Sequence, residues 1–212
     1  DPKRSRCPGG LYLDPRRARQ LKHLGEHLLR LGGGPGSDLV RYLVLVDPRH
    51  PDRREAVADA CFEEGVKFRL RSNNNALPVV DDDVYIADTL GELGLFYTLC
   101  PIAMIGRSFS DDGGGGHNPV EAAQLGCAVL TGPNNQYQRQ IYDDMQEFAA
   151  VMEAKDETEF AAILEELLTN PSKLAIQQSK AAAFVDRKTH VVDIVLKELQ
   201  PLLLRTEKKH AA

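Results

Sequence analysis

The chain has no cysteines at C-x-x-C spacing: its 4 cysteines, Cys7, Cys61, Cys100 and Cys127, are scattered through 212 residues, a pattern that argues against a disulfide framework. Three of them sit among apolar or helical residues and read as buried, reduced thiols in a reducing, cytoplasmic setting. No apolar run approaches the ~20 residues needed to cross a bilayer. No apolar stretch follows the opening "DPKRSRCPGG" in the manner of a secretory signal. Basic residues form no dense cluster and the formal net charge is −5, so nucleic acid is not expected as a partner. The basic run at Arg16, Arg17 and Arg19 reads most simply as a solvated helix face; a membrane surface or an anionic partner is the alternative. No Ser/Pro/Gly linker divides the chain, and 42% hydrophobic residues are enough for one well-packed α/β domain.

What the chain does have is alternation. "YLVLV" (Tyr42 to Val46) is β-branched and aromatic, the composition of a strand buried on both faces. "VKFRL" (Val66 to Leu70), "VYIA" (Val84 to Ala87), "IAMIG" (Ile102 to Gly106), "AVLTG" (Ala128 to Gly132) and "FAAVM" (Phe148 to Met152) complete a set of about six. Helical patterns lie between them: residues 14 to 31 with Leu21, Leu24, Leu28 and Leu31 on one face, then 53 to 64, 90 to 99 and 119 to 125. After Met152 the chain reads as helix almost to its end, broken near Asn170-Pro171. Such alternation implies a parallel sheet covered on both faces. The expected architecture is a single Rossmann-like α/β domain over residues 1–212, with loose tails at 1–13 and 205–212.

Ligands of parallel sheets bind beyond the carboxyl ends of the strands, so the junctions there carry the functional reading. Asp52 and Glu55 form a D-x-x-E capping box, and Thr89 and Glu92 a T-x-x-E box. In "FSDDGGGGHNPVEAAQLG", residues 109–126, Asn118 reads as N-cap, Pro119 as the first helical residue and Glu121 as the third. Glu92 and Glu121 have a modest role open to them, reaching back to a backbone N–H and adding about 1 kcal/mol to a cap. For Glu121 the four glycines before it favour a larger one. A cap needs one good residue at its head, whereas glycines let a ligand approach the backbone beside free helix N–H groups. The residues alone thus point to an anion or nucleotide site with a glutamate near it; neither G-x-G-x-x-G nor GxxxxGK[ST] is present, which argues against NAD and P-loop chemistry.

"VDPRHPDR", "DTLGELGLFY" and "IGRSFSDDGGGGHNPVEAAQLGCAVLTGP", in this order and spacing, resemble the carboxyl-terminal domain of the 3-deoxy-D-manno-octulosonic acid (Kdo) transferases, closely over about residues 40–150. The resemblance implies one half of a GT-B glycosyltransferase, the half that binds the donor CMP-Kdo. It implies a role in lipopolysaccharide synthesis: Kdo passes to the 6′ hydroxyl of a lipid A precursor with inversion and without metal or other cofactor. It also places the full-length enzyme on the cytoplasmic face of the bacterial inner membrane, with the isolated domain soluble. Carried over residue by residue, Pro48 and Arg49 would lie near the cytidine, and Thr89, Leu90, Gly91 and Glu92 would present the helix terminus that receives the CMP phosphate. Asn118 and Glu121 would hold ribose and phosphate, with Ser108, Gly116 and His117 from the same loop; for His117 a structural role and a donor role both stand. No catalytic residue is expected in this chain, because the general base of that family belongs to an amino-terminal acceptor domain that the sequence does not contain.

The chain departs from the family pattern at several places. Arg107 replaces a glycine of F-x-G-G-S, Asn134 and Tyr137 stand for the histidine and asparagine of G-P-H-x-x-N-F, and no A-S-T-H segment opens the domain. His23 and His27, four apart on a helix, lack a third ligand and read as solvated rather than metal-binding. Asp81 to Asp83 reads as a polar turn without calcium-loop spacing. Two rival readings remain: a GT-B enzyme or epimerase using another nucleotide sugar, and a non-catalytic scaffold of the same fold.

Overall fold

A computed structural model of the chain describes residues 43–48, 53–79, 81–109 and 115–210. The expected helix at 14–31, the Arg16–Arg19 run, His23, His27, Cys7, the A-S-T-H question and the tail at 1–13 lie outside those residues.

Six strands form: β1 Val44–Val46, β2 Phe68–Leu70, β3 Val84–Ile86, β4 Ile102–Met104, β5 Ala128–Thr131 and β6 Val151–Glu153. All pairings are parallel, but the ladders divide into two three-stranded sheets, β1-β3-β2 and β4-β5-β6, rather than one continuous sheet. The helices are α1 Arg54–Glu63, α2 Leu93–Leu99, α3 Val120–Gln124, α4 Arg139–Glu147, α5 Glu157–Thr169 and α6 Pro171–His210, with a 3₁₀ turn at Gln136–Gln138.

Each central strand is sandwiched, which is why these strands read as unbroken apolar runs. Along β5, Val129 faces Ala122, Tyr142, Met145 and Phe184, whereas Ala128 and Leu130 face Leu167, Phe160 and Ile163 of α5. In the first sheet Val84 and Ile86 pack with Val57 and Cys61 of α1, and Tyr85 turns the other way onto Phe96 of α2. Burial raises the pKa of the Cys61 thiol to about 11, and of Cys127 likewise to about 11. The described thiols, Cys61, Cys100 and Cys127, are all free.

Polar contacts to main-chain oxygens brace the segments that enter β4 and β5. Cys127 Sγ lies 3.2 Å from the Tyr97 carbonyl and 3.1 Å from that of Cys100. From α6, Gln178 Nε2 donates to the carbonyls of Pro101 (3.2 Å) and Gly126 (2.9 Å).

Three expectations are corrected. The strand read at Phe148–Met152 begins three residues later, at Val151. Residues 148–150 instead close α4 in a Schellman turn: the Ala149 amide donates to the Gln146 carbonyl (2.9 Å), the Ala150 amide to that of Met145 (2.7 Å), and Ala149 sits at φ +49°. Helix α4 itself had no counterpart in the sequence reading. The tail expected at 205–212 is helical as far as His210, because "LLLRTEKKH" is built from strong helix formers. Among the described residues no helix is long and apolar enough to cross a membrane.

Candidate functional site

Strand β3 delivers Asp88 through Glu92 to the edge of its sheet. Helix α2 begins at Leu93 with Glu92 in the N-cap position, and no side chain caps its backbone. The T-x-x-E box is therefore not made in its backbone form; instead the Thr89 hydroxyl donates to Glu92 Oε2. Glu92 is also gripped from β2. Arg71 Nη2 donates to its Oε1 at 2.8 Å and Arg71 Nε to its Oε2 at 3.2 Å, a two-pronged pair. The Arg71 guanidinium, and after it the Thr89 hydroxyl, holds the Glu92 carboxyl below the usual carboxylate range, and Glu92 in turn raises the Arg71 pKa.

The neighbouring pair secures the other end of the turn. Asp88, buried to 3% exposure, accepts from the Ser72 amide (2.8 Å) and the Ser72 hydroxyl (2.5 Å). Arg54 Nη1 of α1 approaches the same carboxylate at 3.9 Å. Between these two fixed carboxylates Leu90 projects at 74% exposure, and Gly91 sits at φ +82°, a conformation suited to glycine, with open space where a Cβ would be.

The second junction follows β4. Arg107 adopts φ +64°, the left-handed region that the glycine of the family pattern tolerates more readily. Ser108 is fully buried: its hydroxyl donates to the Ile105 carbonyl (2.6 Å) and accepts from the Gly132 amide (2.8 Å). The Asn134 amide then donates to the Ser108 carbonyl at 2.8 Å, so this residue braces the loop and turns no atom outward.

Gly115 and Gly116 are explained by packing. A Cβ on Gly115 would lie 2.7 Å from the Tyr137 amide nitrogen, and one on Gly116 would lie 3.3 Å from the Asn134 carbonyl oxygen. Both also have positive φ, +50° and +69°. Glycine 113 and glycine 114 lie outside the described residues. The His117 carbonyl accepts from the Tyr142 hydroxyl (2.8 Å), and burial pushes the Tyr142 pKa up to about 12. Asn118 is exposed, and its Oδ1 accepts from the Val120 amide at 2.9 Å. The expected N-cap is corrected: α3 starts at Val120 with Pro119 in the N-cap position, one residue later than read, and Asn118 stands just before it.

Glu121 is exposed, and it joins the two junctions. A Cβ on Gly94, in the first turn of α2, would lie 3.9 Å from Glu121 Oε1 and 3.8 Å from Leu125 Cδ1. The structure thus brings Glu121, three residues after Asn118, beside the first turn of α2, which directly follows the 88–92 turn. Pro48 is fully buried at the end of β1, while Arg49 and Asp52 lie outside the described residues. The sequence reading missed Arg71, Ser72 and Asp88. Asp88 stood in a motif already singled out, but "LRS" carries no signal until β2 is set beside β3. Asp82 of the triple-aspartate turn is occupied by Arg69 (2.6 Å) and the Val79 amide (2.8 Å). Among the described residues no group of three or more His, Cys, Asp or Glu side chains is placed to hold a metal ion.

Parallel strands flanked by helices, with glycine-bearing turns at their carboxyl ends, define a Rossmann-like α/β domain. The fold is similar to the crystal structure of the C-terminal CMP-Kdo binding domain of WaaA from Acinetobacter baumannii, with TM-score 0.63 and 22% identity over 81% of this chain and 97% of that one. No family model matches the chain. By sequence it is 34% identical over 154 residues to the 3-deoxy-D-manno-octulosonic acid transferase of Rickettsia bellii, covering 72% of this chain and 36% of that protein. It is 36% identical over 157 residues to an Arabidopsis thaliana protein named "Probable 3-deoxy-D-manno-octulosonic acid transferase, mitochondrial", covering 73% of this chain and 34% of that one. The chain is thus homologous to part of the 3-deoxy-D-manno-octulosonic acid transferases, and it spans about a third of the length of these relatives.

Proposed function

We propose that this chain is the donor-binding domain of a Kdo transferase, taking CMP-Kdo and serving transfer of Kdo to a lipid A precursor in lipopolysaccharide synthesis. The observation that carries the proposal is the 34% identity to a Kdo transferase over 154 residues, 72% of this chain. In this reading Asn118, Glu121 and the Thr89–Glu92 turn line the donor site, with Gly116, His117, Pro48 and Arg49 as its supporting or flanking residues. Ser108 acts behind the site as a brace. A carboxylate at position 121 is a fitting acceptor for two ribose hydroxyl protons.

CMP is the leaving group, and its phosphate gains negative charge as the bond to Kdo breaks. Backbone N–H groups of the Leu90–Gly91 turn aimed at that phosphate stabilise the charge electrostatically, in an inverting reaction that needs no metal. The general base lies in a partner domain outside this chain, so the chain alone is inactive; in the full-length enzyme the reaction runs at the cytoplasmic face of the inner membrane. Calorimetric titration with CMP and with UMP tests the donor assignment. The expected result is a preference for CMP that Glu121→Ala weakens at least tenfold, about 1.4 kcal/mol. Equal binding of UMP would move the reading to another nucleotide sugar, and turnover of CMP-Kdo with acceptor by this chain alone would refute the half-enzyme assignment.

A further inference from the structure

We infer that Arg71 and Ser72 are positioning residues of the donor site, a staple that fixes the Asp88–Glu92 turn at both ends without touching the ligand. This rests on the donor-site reading above. The geometry behind it starts in the sheet. The parallel register sets Leu70 opposite Ile86, so the next two residues of β2 run out beside the start of the turn. The Arg71 amide continues the ladder by donating to the Ile86 carbonyl at 2.9 Å. Consecutive residues then take consecutive tasks: the Arg71 side chain binds both oxygens of Glu92 (2.8 and 3.2 Å), and Ser72 meets both oxygens of Asp88, with its amide at 2.8 Å and its hydroxyl at 2.5 Å.

The consequence is chemical as well as mechanical. A bare carboxylate at Glu92, in the N-cap position of α2, would repel a phosphate brought to the same turn. Paired with a guanidinium in bidentate geometry, its charge is locally cancelled while the turn keeps its shape. Arg71 is itself occupied, with its side chain 17% exposed, and so it acts through Glu92. Gly91 at φ +82° has open space where a Cβ would be, and within the turn the Thr89 hydroxyl bonds to Glu92, itself one of the two ends. Its order depends on the two ends.

The test uses the whole chain, with backbone ¹⁵N relaxation and CMP titration on wild type, Arg71→Gln, Arg71→Lys, Glu92→Gln and the Arg71→Gln/Glu92→Gln double variant. Order parameters at Leu90, Gly91 and Glu92 are expected near ~0.85 in the wild type and to drop below ~0.6 in Arg71→Gln, with β5 unchanged. CMP affinity is expected to fall about tenfold in each glutamine variant and no further in the double, the non-additivity of residues that act as a unit. Arg71→Lys, which keeps the charge but not the fork, recovers part of the affinity. Unchanged order parameters in Arg71→Gln overturn the inference whether or not CMP binds. So do losses that multiply in the double variant, since they would mean an independent contact. A wild type that binds no CMP while Arg71→Gln still loosens the turn leaves the staple in place and refutes the donor reading alone. Should Arg71→Gln not fold, Glu92→Gln removes the same pair from its other side and is read against the same criteria.

Discussion

Ser108→Ala separates a residue that binds from one that braces. The Ser108 hydroxyl makes two bonds in a fully buried position, to the Ile105 carbonyl at 2.6 Å and from the Gly132 amide at 2.8 Å. The methyl of alanine occupies part of the same volume, so the loss is polar. A lost hydrogen bond costs roughly 1 kcal/mol, and leaving the buried Gly132 N–H without a partner brings the expected total to about 2 kcal/mol. No replacement is at hand, because a Cβ on Gly132 would already lie 2.4 Å from the Ser108 carbonyl oxygen: that backbone has no room to turn. For a chain of this size 2 kcal/mol lowers the melting temperature by roughly 4–8 °C. Circular dichroism melts give the shift, and CMP titration about 15 °C below the lower midpoint gives the affinity. The expected outcome is a destabilised protein with unchanged CMP affinity per folded molecule. A normal melting temperature with weakened CMP binding would refute the reasoning and return Ser108 to the ligand.

Further outcomes follow from other parts of the molecule. Ala149→Gly relieves a left-handed φ of +49° at an exposed Schellman position. The relief is about 1–2 kcal/mol, less roughly 0.4–1 kcal/mol of added unfolded-state entropy, so urea denaturation is expected to show a gain of about 0.5–1 kcal/mol. Glu92 has a lowered folded pKa, so its contribution to stability is complete above the ordinary value of about 4.3 and is lost as pH falls through the folded one. Acid unfolding followed by circular dichroism is expected to be less steep below about pH 4 in Glu92→Gln than in the wild type. Cys61 and Cys127, each pushed up to about 11 by burial, are expected to resist iodoacetamide at neutral pH and to label fully once urea unfolds the chain, as read by mass spectrometry.

The fold was legible where burial is two-sided. Val84–Ile86 and Ala128–Thr131 lie inside the stretches read as strands, because a strand covered on both faces must be apolar throughout. The reading slipped at Phe148, which is apolar yet 42% exposed and tilted against the Phe184 ring, 6.0 Å between centroids. Its apolar neighbours Ala149 and Ala150 end a helix instead of starting a strand. Helix α4 was hidden by its polar surface, although Tyr142 and Met145 already carry the three-residue spacing of its buried face. At the candidate site, the local motifs singled out Asn118, Glu121 and the 89–92 turn, since caps and turn glycines act within a few residues. They misassigned the partner of Glu92. Its partner stands 21 positions earlier, a distance that only strand pairing closes.

The polar contacts before β4 and β5 have a bearing on how such a chain can drift. The four acceptors described there are main-chain carbonyls, at Tyr97, Cys100, Pro101 and Gly126. A carbonyl is supplied by any residue, so mutation at those four positions leaves the acceptors where they are as long as the backbone keeps its course. For these four contacts side-chain identity matters on the donating side, at Cys127 and Gln178. Two side chains therefore make four bonds whose acceptors impose no residue type, and the bonds persist through any replacement that leaves the backbone in place.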